Sequence, residues 1–270
     1  MPVTTVATLN LFNRDADWER RFPLVVEQLL ELRPDAIGFQ EIDLMLDQGM
    51  WIARRVNAAL RKYRTAHPEE SFRASEGGAE WGLEGYRLRH AASPGKMASI
   101  HGIGTMARIE CLEHEILDLM THDRIAQRLV LQVDGAPFVF VNTHLHHPPE
   151  ATDDRVRQLE RILAWLDRDD RGLPTVVLGD FNSYVEEPAV AFMKKRFRSA
   201  YETAHGKEPD WTWTTPVNKW DNSPHGTLDY IYVSPHFKVL DAALAFNRAS
   251  PDDPELYPSD HLGVWAKLSF

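Results

Sequence analysis

Residues 175–182 read Thr-Val-Val-Leu-Gly-Asp-Phe-Asn. A short aliphatic and β-branched run breaks off at a glycine, then at two polar residues that straddle a phenylalanine. Such a run is too short for a helix and reads as a strand buried on both faces. The same pattern recurs at 35–41, Asp-Ala-Ile-Gly-Phe-Gln-Glu, and at 138–144, Phe-Val-Phe-Val-Asn-Thr-His. Ahead of the 35–40 strand, Trp18, Phe22, Val25, Leu29 and Leu32 recur at steps of four and three. That is the stripe of an amphipathic helix, with Asp17 placed to cap it and Pro34 to stop it. Ahead of the 175–178 strand, Val156, Leu159, Leu163 and Leu166 mark another, ended by Gly172 and Pro174. Buried strands alternating with helices predict α/β layers.

The rest of the chain extends this reading. Residues 3–11 form a strand, 49–63 a second helix, and 104–109, 128–133 and 138–143 consecutive strands, with Asp134-Gly135 as a hairpin turn. Late strands are expected at 227–233 and 262–268. Between about 67 and 102 the periodicity dissolves into glycines around Trp81 and breakers such as Pro94, which predicts a long loop or lid. No repeat or linker divides the chain, so 1–270 is read as one domain.

With 43% hydrophobic residues, including 8 Trp and 12 Phe, the chain builds a real core and is not a disordered protein. It contains no apolar stretch of membrane-spanning length. Met1–Thr5 shows no secretory pattern, and Cys111 is the only cysteine, so no disulfide forms within the chain and cytoplasmic residence is expected. A net charge of −10 disfavours general attraction to a polyphosphate backbone.

Polar residues collect at the ends of the expected strands: Asn10, Glu41, His144, Asp180 with Asn182, Asp229, and Asp260-His261. In layered α/β folds the strand ends form a common rim where ligands bind. Carboxylate and amide oxygens suit Mg2+ or Mn2+, so Glu41, helped by Asn10 and Asp260, is a candidate metal set. His261 with a buried Asp is a candidate base and orienting partner. Asp180 and Asn182 alternate on an extended segment and can face one side, the first toward a water, the second toward a phosphate oxygen. A zinc site is the other reading of the histidines, since His144 and His146 also alternate, with His147 beside them. Trp211-Thr212-Trp213 is read as core packing.

In this order and spacing, Leu9-Asn10, Gln40-Glu41, Asn142-Thr143-His144-Leu145, Gly179-Asp180-Phe181-Asn182, Leu228-Asp229-Tyr230 and Ser259-Asp260-His261 resemble the endonuclease/exonuclease/phosphatase superfamily. The resemblance implies a four-layer α/β sandwich, two packed and mostly antiparallel sheets flanked by helices. It implies Glu41 as principal metal ligand with Asn10 and Asp260 near it. His261, paired to Asp229, becomes the general base or the transition-state partner. His144 becomes a phosphate contact or leaving-group acid, and Asp180 and Asn182 the water-orienting and phosphate-binding pair. Arg128 matches an arginine close to substrate phosphate, and His146 is expected to line the pocket.

The activity so implied is Mg2+- or Mn2+-dependent hydrolysis of a phosphate ester by in-line attack of water. The acidity of the chain favours a small or lipid-derived phosphodiester or phosphomonoester over DNA or RNA, which remains the alternative. The inositol-phosphatase signature is not matched: Leu178 stands where a Trp is expected ahead of Gly179, and 220–223 lacks the Cys-Asp-Arg segment. An inactive binding module is disfavoured because Glu41, Asp180 and His261 are all present.

Overall fold

The computed structural model describes residues 1–67, 85–95, 101–169, 171–221 and 223–270. Two mixed sheets of six strands lie face to face. The first has the order β11-β12-β1-β2-β4-β3 and the second β5-β6-β7-β8-β10-β9. Their strands are β1 (Val3–Asn10), β2 (Ala36–Ile42), β3 (Arg87–Ala92), β4 (Gly102–Ala107), β11 (Lys238–Ala245) and β12 (Gly263–Ser269) in one, and β5 (Glu110–Asp118), β6 (Ile125–Val133), β7 (Ala136–His144), β8 (Thr175–Asp180), β9 (Arg198–Ser199) and β10 (Asp229–Val233) in the other. Val6, Ala36 and Val264 of the first sheet meet Leu129, Phe140, Leu178 and Ile231 of the second in a common inner core. Helices α1 (Trp18–Leu32) and α2 (Gln48–Ala66) cover the outer face of the first sheet through Phe22, Val25, Leu29, Ile52 and Val56. Helix α3 (Thr152–Arg168) and the short α4 (Pro188–Met193) cover the second through Leu159, Ile162 and Val190. The small α5 (Ala200–His205) sits beside β11 and β10. The expected four-layer sandwich is the observed one. Among the described residues, no helix is long and apolar enough to cross a membrane.

Each sheet contains one parallel pair, β1 with β2 and β7 with β8; the other pairings are antiparallel. A parallel pair needs a crossover, and α1 and α3 supply the two. This layout sets the site. The carboxyl ends of β1, β2, β7 and β8 point to one edge of the sandwich. β10 and β12 run antiparallel to β8 and β1, so they start at that same edge.

Close approach of the sheets demands particular residues. A Cβ on Gly38 would lie 2.6 Å from Leu178 Cδ1 and 2.8 Å from Asn142. Gly179 has φ 139°, and a Cβ there would fall 1.9 Å from the Thr143 carbonyl oxygen, a position for glycine alone.

Some expectations need correction. Asp17 makes no side-chain cap: it sits in the left-handed region at φ 53°, its exposed carboxylate lies 3.8 Å from Arg20, and its carbonyl accepts the Arg20 N–H. The loop expected at 67–102 contains strand β3, which pairs along β4; 68–84 and 96–100 lie outside the described residues. β5 and β11 were not anticipated. Both lie at sheet edges, are only partly buried and carry register irregularities, so neither shows a clean apolar period.

Candidate active site

The two sheets are bolted together just beneath the shared edge. Gln40 on β2 donates from Nε2 to Thr8 Oγ1 at 3.0 Å and to Asn142 Oδ1 on β7 at 2.7 Å. Asn142 in turn donates to the carbonyls of Phe39 and Gly104, each at 3.1 Å. All are buried. These two motif residues are structural: a satisfied polar bridge that fixes the register of the sheets.

Above the bridge, the strand ends converge. Asn10, the last residue of β1, donates from Nδ2 to Asp180 Oδ2 at 3.0 Å. Asp180, the last residue of β8, also accepts the Asn182 backbone N–H at 2.8 Å. His144, ending β7, places Nε2 3.3 Å from Asp180 Oδ2 and 4.0 Å from Glu41 Oε1. Glu41 sits in a β-bulge between Phe39 and Ile42, with φ 52°. The bulge turns its carboxylate out toward the cluster instead of back along the sheet.

From the antiparallel strands come the partners. His261 Nδ1 lies 2.8 Å from Asp229 Oδ2, the first residue of β10, and Nε2 lies 3.9 Å from Asp180 and 4.0 Å from Asp260. Asp229 Oδ2 also accepts from Thr212 Oγ1 at 2.7 Å, whose oxygen takes the Asp229 backbone N–H. Asp260 accepts from Asn218 Nδ2 at 3.1 Å and from Ser259 Oγ at 3.3 Å.

The charges follow from this crowding. Burial first, then the neighbouring Asp229, pushes the Asp180 carboxyl up to about 6, against the pull of His261, Asn10 and Asn182. Burial and the charges of Asp260 and Asp180 raise Glu41, and burial raises Asp260. For His261, burial opposes the charged form but is outweighed by Asp229, Asp260 and Asp180, so its pKa is raised well above the ordinary range. For His144 burial and the nearby Arg124 act together, and its pKa falls well below the ordinary value. Two imidazoles in one pocket thus take opposite charge states at neutral pH.

Among the described residues, Asp180, Asp229 and His261 form a group with ligand atoms within 4.8 Å of one another. The cation that serves it is the imidazolium of His261, already bonded to Asp229. The oxygen donors of Glu41, Asp260 and Asn10 are a different matter. Half-buried Glu41 and buried Asp260 are both held above the ordinary carboxylate range, first of all by burial, a desolvation cost that a hard divalent cation offsets. The donor set fits such an ion.

Of the residues expected here from sequence, Asn10, Glu41, His144, Asp180, Asn182, Asp229, Asp260 and His261 come together. Asn182 spends one amide N–H on the Leu145 carbonyl at 3.0 Å. Arg128 does not arrive. It pairs with Val141 across β6 and β7, and its guanidinium is held by Glu113, Glu115 and Asp169 at 3.3, 3.3 and 2.5 Å. Its two flanking carboxylates on β5 and one past α3 claim it for the outer face. His146 does not join His144 in a zinc site: buried Leu145 packs in the outer core between them, and His146 stacks on His122. Trp211 and Trp213 are half-buried rather than core, Trp213 lying 6.5 Å from the His261 ring.

The reading from sequence missed Arg124, whose charge acts on Glu41, Asp180 and His144. It lies just ahead of β6, and the strand pattern drew attention to the wrong arginine. Arg21 was also missed. Fully buried in α1, it donates to the carbonyls of Leu11, Phe12, Asn13, Asp15, Ala16 and Pro258, clamping the loop after Asn10 to the segment that carries Asp260.

A buried carboxylate and imidazole cluster at the joint edge of two packed sheets is the frame of a phosphoric ester hydrolase. The model of the Endonuclease/Exonuclease/phosphatase family matches residues 7–261, and the chain belongs to that family. Its members hydrolyse phosphoric esters and depend on divalent metal. Among relatives, Nocturnin of Mus musculus is 27% identical over 268 residues, covering 94% of this chain but 59% of Nocturnin's length. A mannosyl-6-phosphatase of Bacteroides thetaiotaomicron matches in structure with a TM-score of 0.74 at 22% identity, covering 99% of this chain and 100% of that one. TDP2 of D. rerio, solved with a single-strand DNA product, matches with a TM-score of 0.72 at 17% identity, covering 99% of each chain. At these identities the structural likenesses speak for the fold.

Proposed function

We propose that this chain hydrolyses a small phosphodiester or phosphomonoester, with Mg2+ or Mn2+ held by Glu41, Asn10 and Asp260. Bound there, the ion would neutralise charge on phosphoryl and leaving oxygens. The line Thr212–Asp229–His261–Asp180 carries the reading. Asp180, raised to about 6, accepts a proton from the attacking water as its oxygen closes on phosphorus opposite the ester oxygen. His261 is held charged by Asp229 at 2.8 Å, so its Nε2–H serves the developing phosphoryl charge. Of the two roles open to His261 from sequence, the structure favours transition-state partner over general base. His144, held neutral, donates a hydrogen bond to a phosphoryl oxygen instead of acting as an acid, and Asn182 offers its remaining amide N–H. Arg124 supplies the further positive charge.

Charge supports a small substrate over nucleic acid. Arg14, Arg128, Arg155, Arg171, Arg196 and Arg248 are each committed to carboxylates. With a net charge of −10 besides, such pairing argues against an extended basic groove. The free, half-buried Cys111 fits a cytoplasmic setting.

The test uses chelator-treated protein given Mg2+ or Mn2+ and offered p-nitrophenyl phosphate, bis-p-nitrophenyl phosphate, a single-stranded oligonucleotide and phospholipid vesicles. Metal-restored turnover of a small ester is expected, falling at least ~100-fold in His261→Ala. Unchanged rates in that variant, or a strong preference for the oligonucleotide, would overturn the proposal.

A further inference from the structure

We propose that His122, His146 and Asp154 form a second metal site, separate from the catalytic centre, selective for a late first-row divalent ion such as Zn2+. One donor atom from each lies within 4.8 Å of the others. They come from three places: the turn between β5 and β6, the segment after β7, and the first turn of α3. His122 Nε2 is 3.1 Å from Asp154 Oδ2, and the imidazoles of His122 and His146 lie in parallel planes with centroids 3.5 Å apart.

Two further observations point to a ligand. First, His146 Nδ1 is buried without a hydrogen-bond partner. A buried ring nitrogen left unmatched costs on the order of 1–3 kcal/mol, a penalty that occupancy of this pocket offsets once the ring turns. Second, the framework behind the donors is built and buried. Gln158 accepts the His146 backbone N–H at 3.0 Å and donates to Thr121 Oγ1 at 2.9 Å, tying both histidine-bearing segments to α3. Arg155, fully buried, donates to the His146 and Pro148 carbonyls at 3.2 and 2.7 Å. Arg157 holds Asp154 by Oδ1 at 2.6 Å and leaves Oδ2 for His122. Such outer contacts orient ligands before the metal arrives. Both rings must turn, the exposed His122 more freely than the half-buried His146, since stacked rings do not aim their lone pairs at one point.

The donor chemistry separates the two centres. Two imidazoles and a carboxylate suit Zn2+, Ni2+ or Cu2+, whereas the oxygen set of Glu41, Asn10 and Asp260 suits Mg2+ or Mn2+. Three protein ligands leave a coordination position for water or an anion. The site lies within electrostatic reach of Arg124, which acts on both His146 and Glu41.

The test is a Zn2+ titration of the chelator-treated protein under saturating Mg2+, followed by competition with a chromophoric zinc chelator. One equivalent of Zn2+ that Mg2+ does not displace is expected. Its affinity should fall at least ~10-fold in His122→Ala and in His146→Ala, and persist in Glu41→Gln. His122 is exposed, so its replacement leaves folding intact and keeps the comparison clean. Equal affinity in wild type and His122→Ala, or loss of the equivalent in Glu41→Gln instead, overturns the assignment.

Discussion

Asp180→Asn should make the metal-free protein more stable at neutral pH. Asp180 is 1% exposed, and its carboxyl is raised from 3.8 to about 6. A shift of that size corresponds to ~3 kcal/mol at 1.36 kcal/mol per unit. A raised acid binds more protons in the folded chain than in the unfolded one between those two values. Stability therefore falls as pH climbs from about 4 to about 6 and stays reduced above it. The amide removes that penalty. It cannot accept at both oxygens, so one of the bonds from Asn10 Nδ2 at 3.0 Å or Asn182 N at 2.8 Å is lost, at ~1 kcal/mol. The net gain is ~2 kcal/mol at pH 8, or ~4 °C in Tm; it crosses zero between about pH 4 and 5 and becomes a loss of ~1 kcal/mol at lower pH, where only the missing bond remains. The assay is thermal denaturation by circular dichroism in chelator across pH 4–8, with turnover measured alongside and expected to be lost. A difference independent of pH, or a less stable variant at pH 8, would refute the electrostatic account of this carboxylate.

Asp229→Asn strips His261 of the anion that holds its charge. The descending limb of the pH–rate profile should move to lower pH while the ascending limb, set by Asp180, moves less; a descending limb that stays in place excludes His261 as the group it reports. Arg128→Ala should leave kcat/KM within about threefold of wild type but destabilise by ~1–2 kcal/mol, because its three carboxylates are half-exposed and re-solvate on release; denaturant titration with steady-state kinetics separates the two effects. Gly179→Ala places a Cβ against the Thr143 carbonyl and should cost more than ~2 kcal/mol, read as a lowered denaturation midpoint, and wild-type stability would contradict the packing described.

The core of the fold was legible because buried strands and amphipathic helices carry a period. Trp18 to Leu32 marked α1 to the residue, and the apolar runs ending at Gln40, His144 and Asp180 marked the strands that build the site. Edge strands β3, β5 and β11 carry no such period. The site residues were legible as polar tips on apolar runs. What sequence could not show was side-chain direction across the sheets. Arg128 and Arg124 are near neighbours in the chain, yet three outer carboxylates claim the first and the site holds the second. His144 and His146 share a parity, but the strand ends at His144 and the chain turns away, so parity no longer predicts a shared face.

The arrangement also explains why no half of the chain can make this site alone. The first parallel pair ends in Asn10 and Glu41, the second in His144 and Asp180, and the contact Asn10 Nδ2 to Asp180 Oδ2 joins them across the sandwich. The bridge Gln40–Asn142 sets that approach, and Gly38 permits it. A bulky residue at 38 would push β2 from β8 by contact with Leu178 and draw Glu41 off the cluster without altering any reacting group. Such a variant should lose metal affinity before it loses the His261–Asp229 pair, since that pair is assembled from β10 and the lead into β12, both away from Gly38. With the proposed metal set, ion binding would thus depend on sheet spacing, whereas the imidazolium depends on strand start points. The two parts of the chemistry rest on separable parts of the structure.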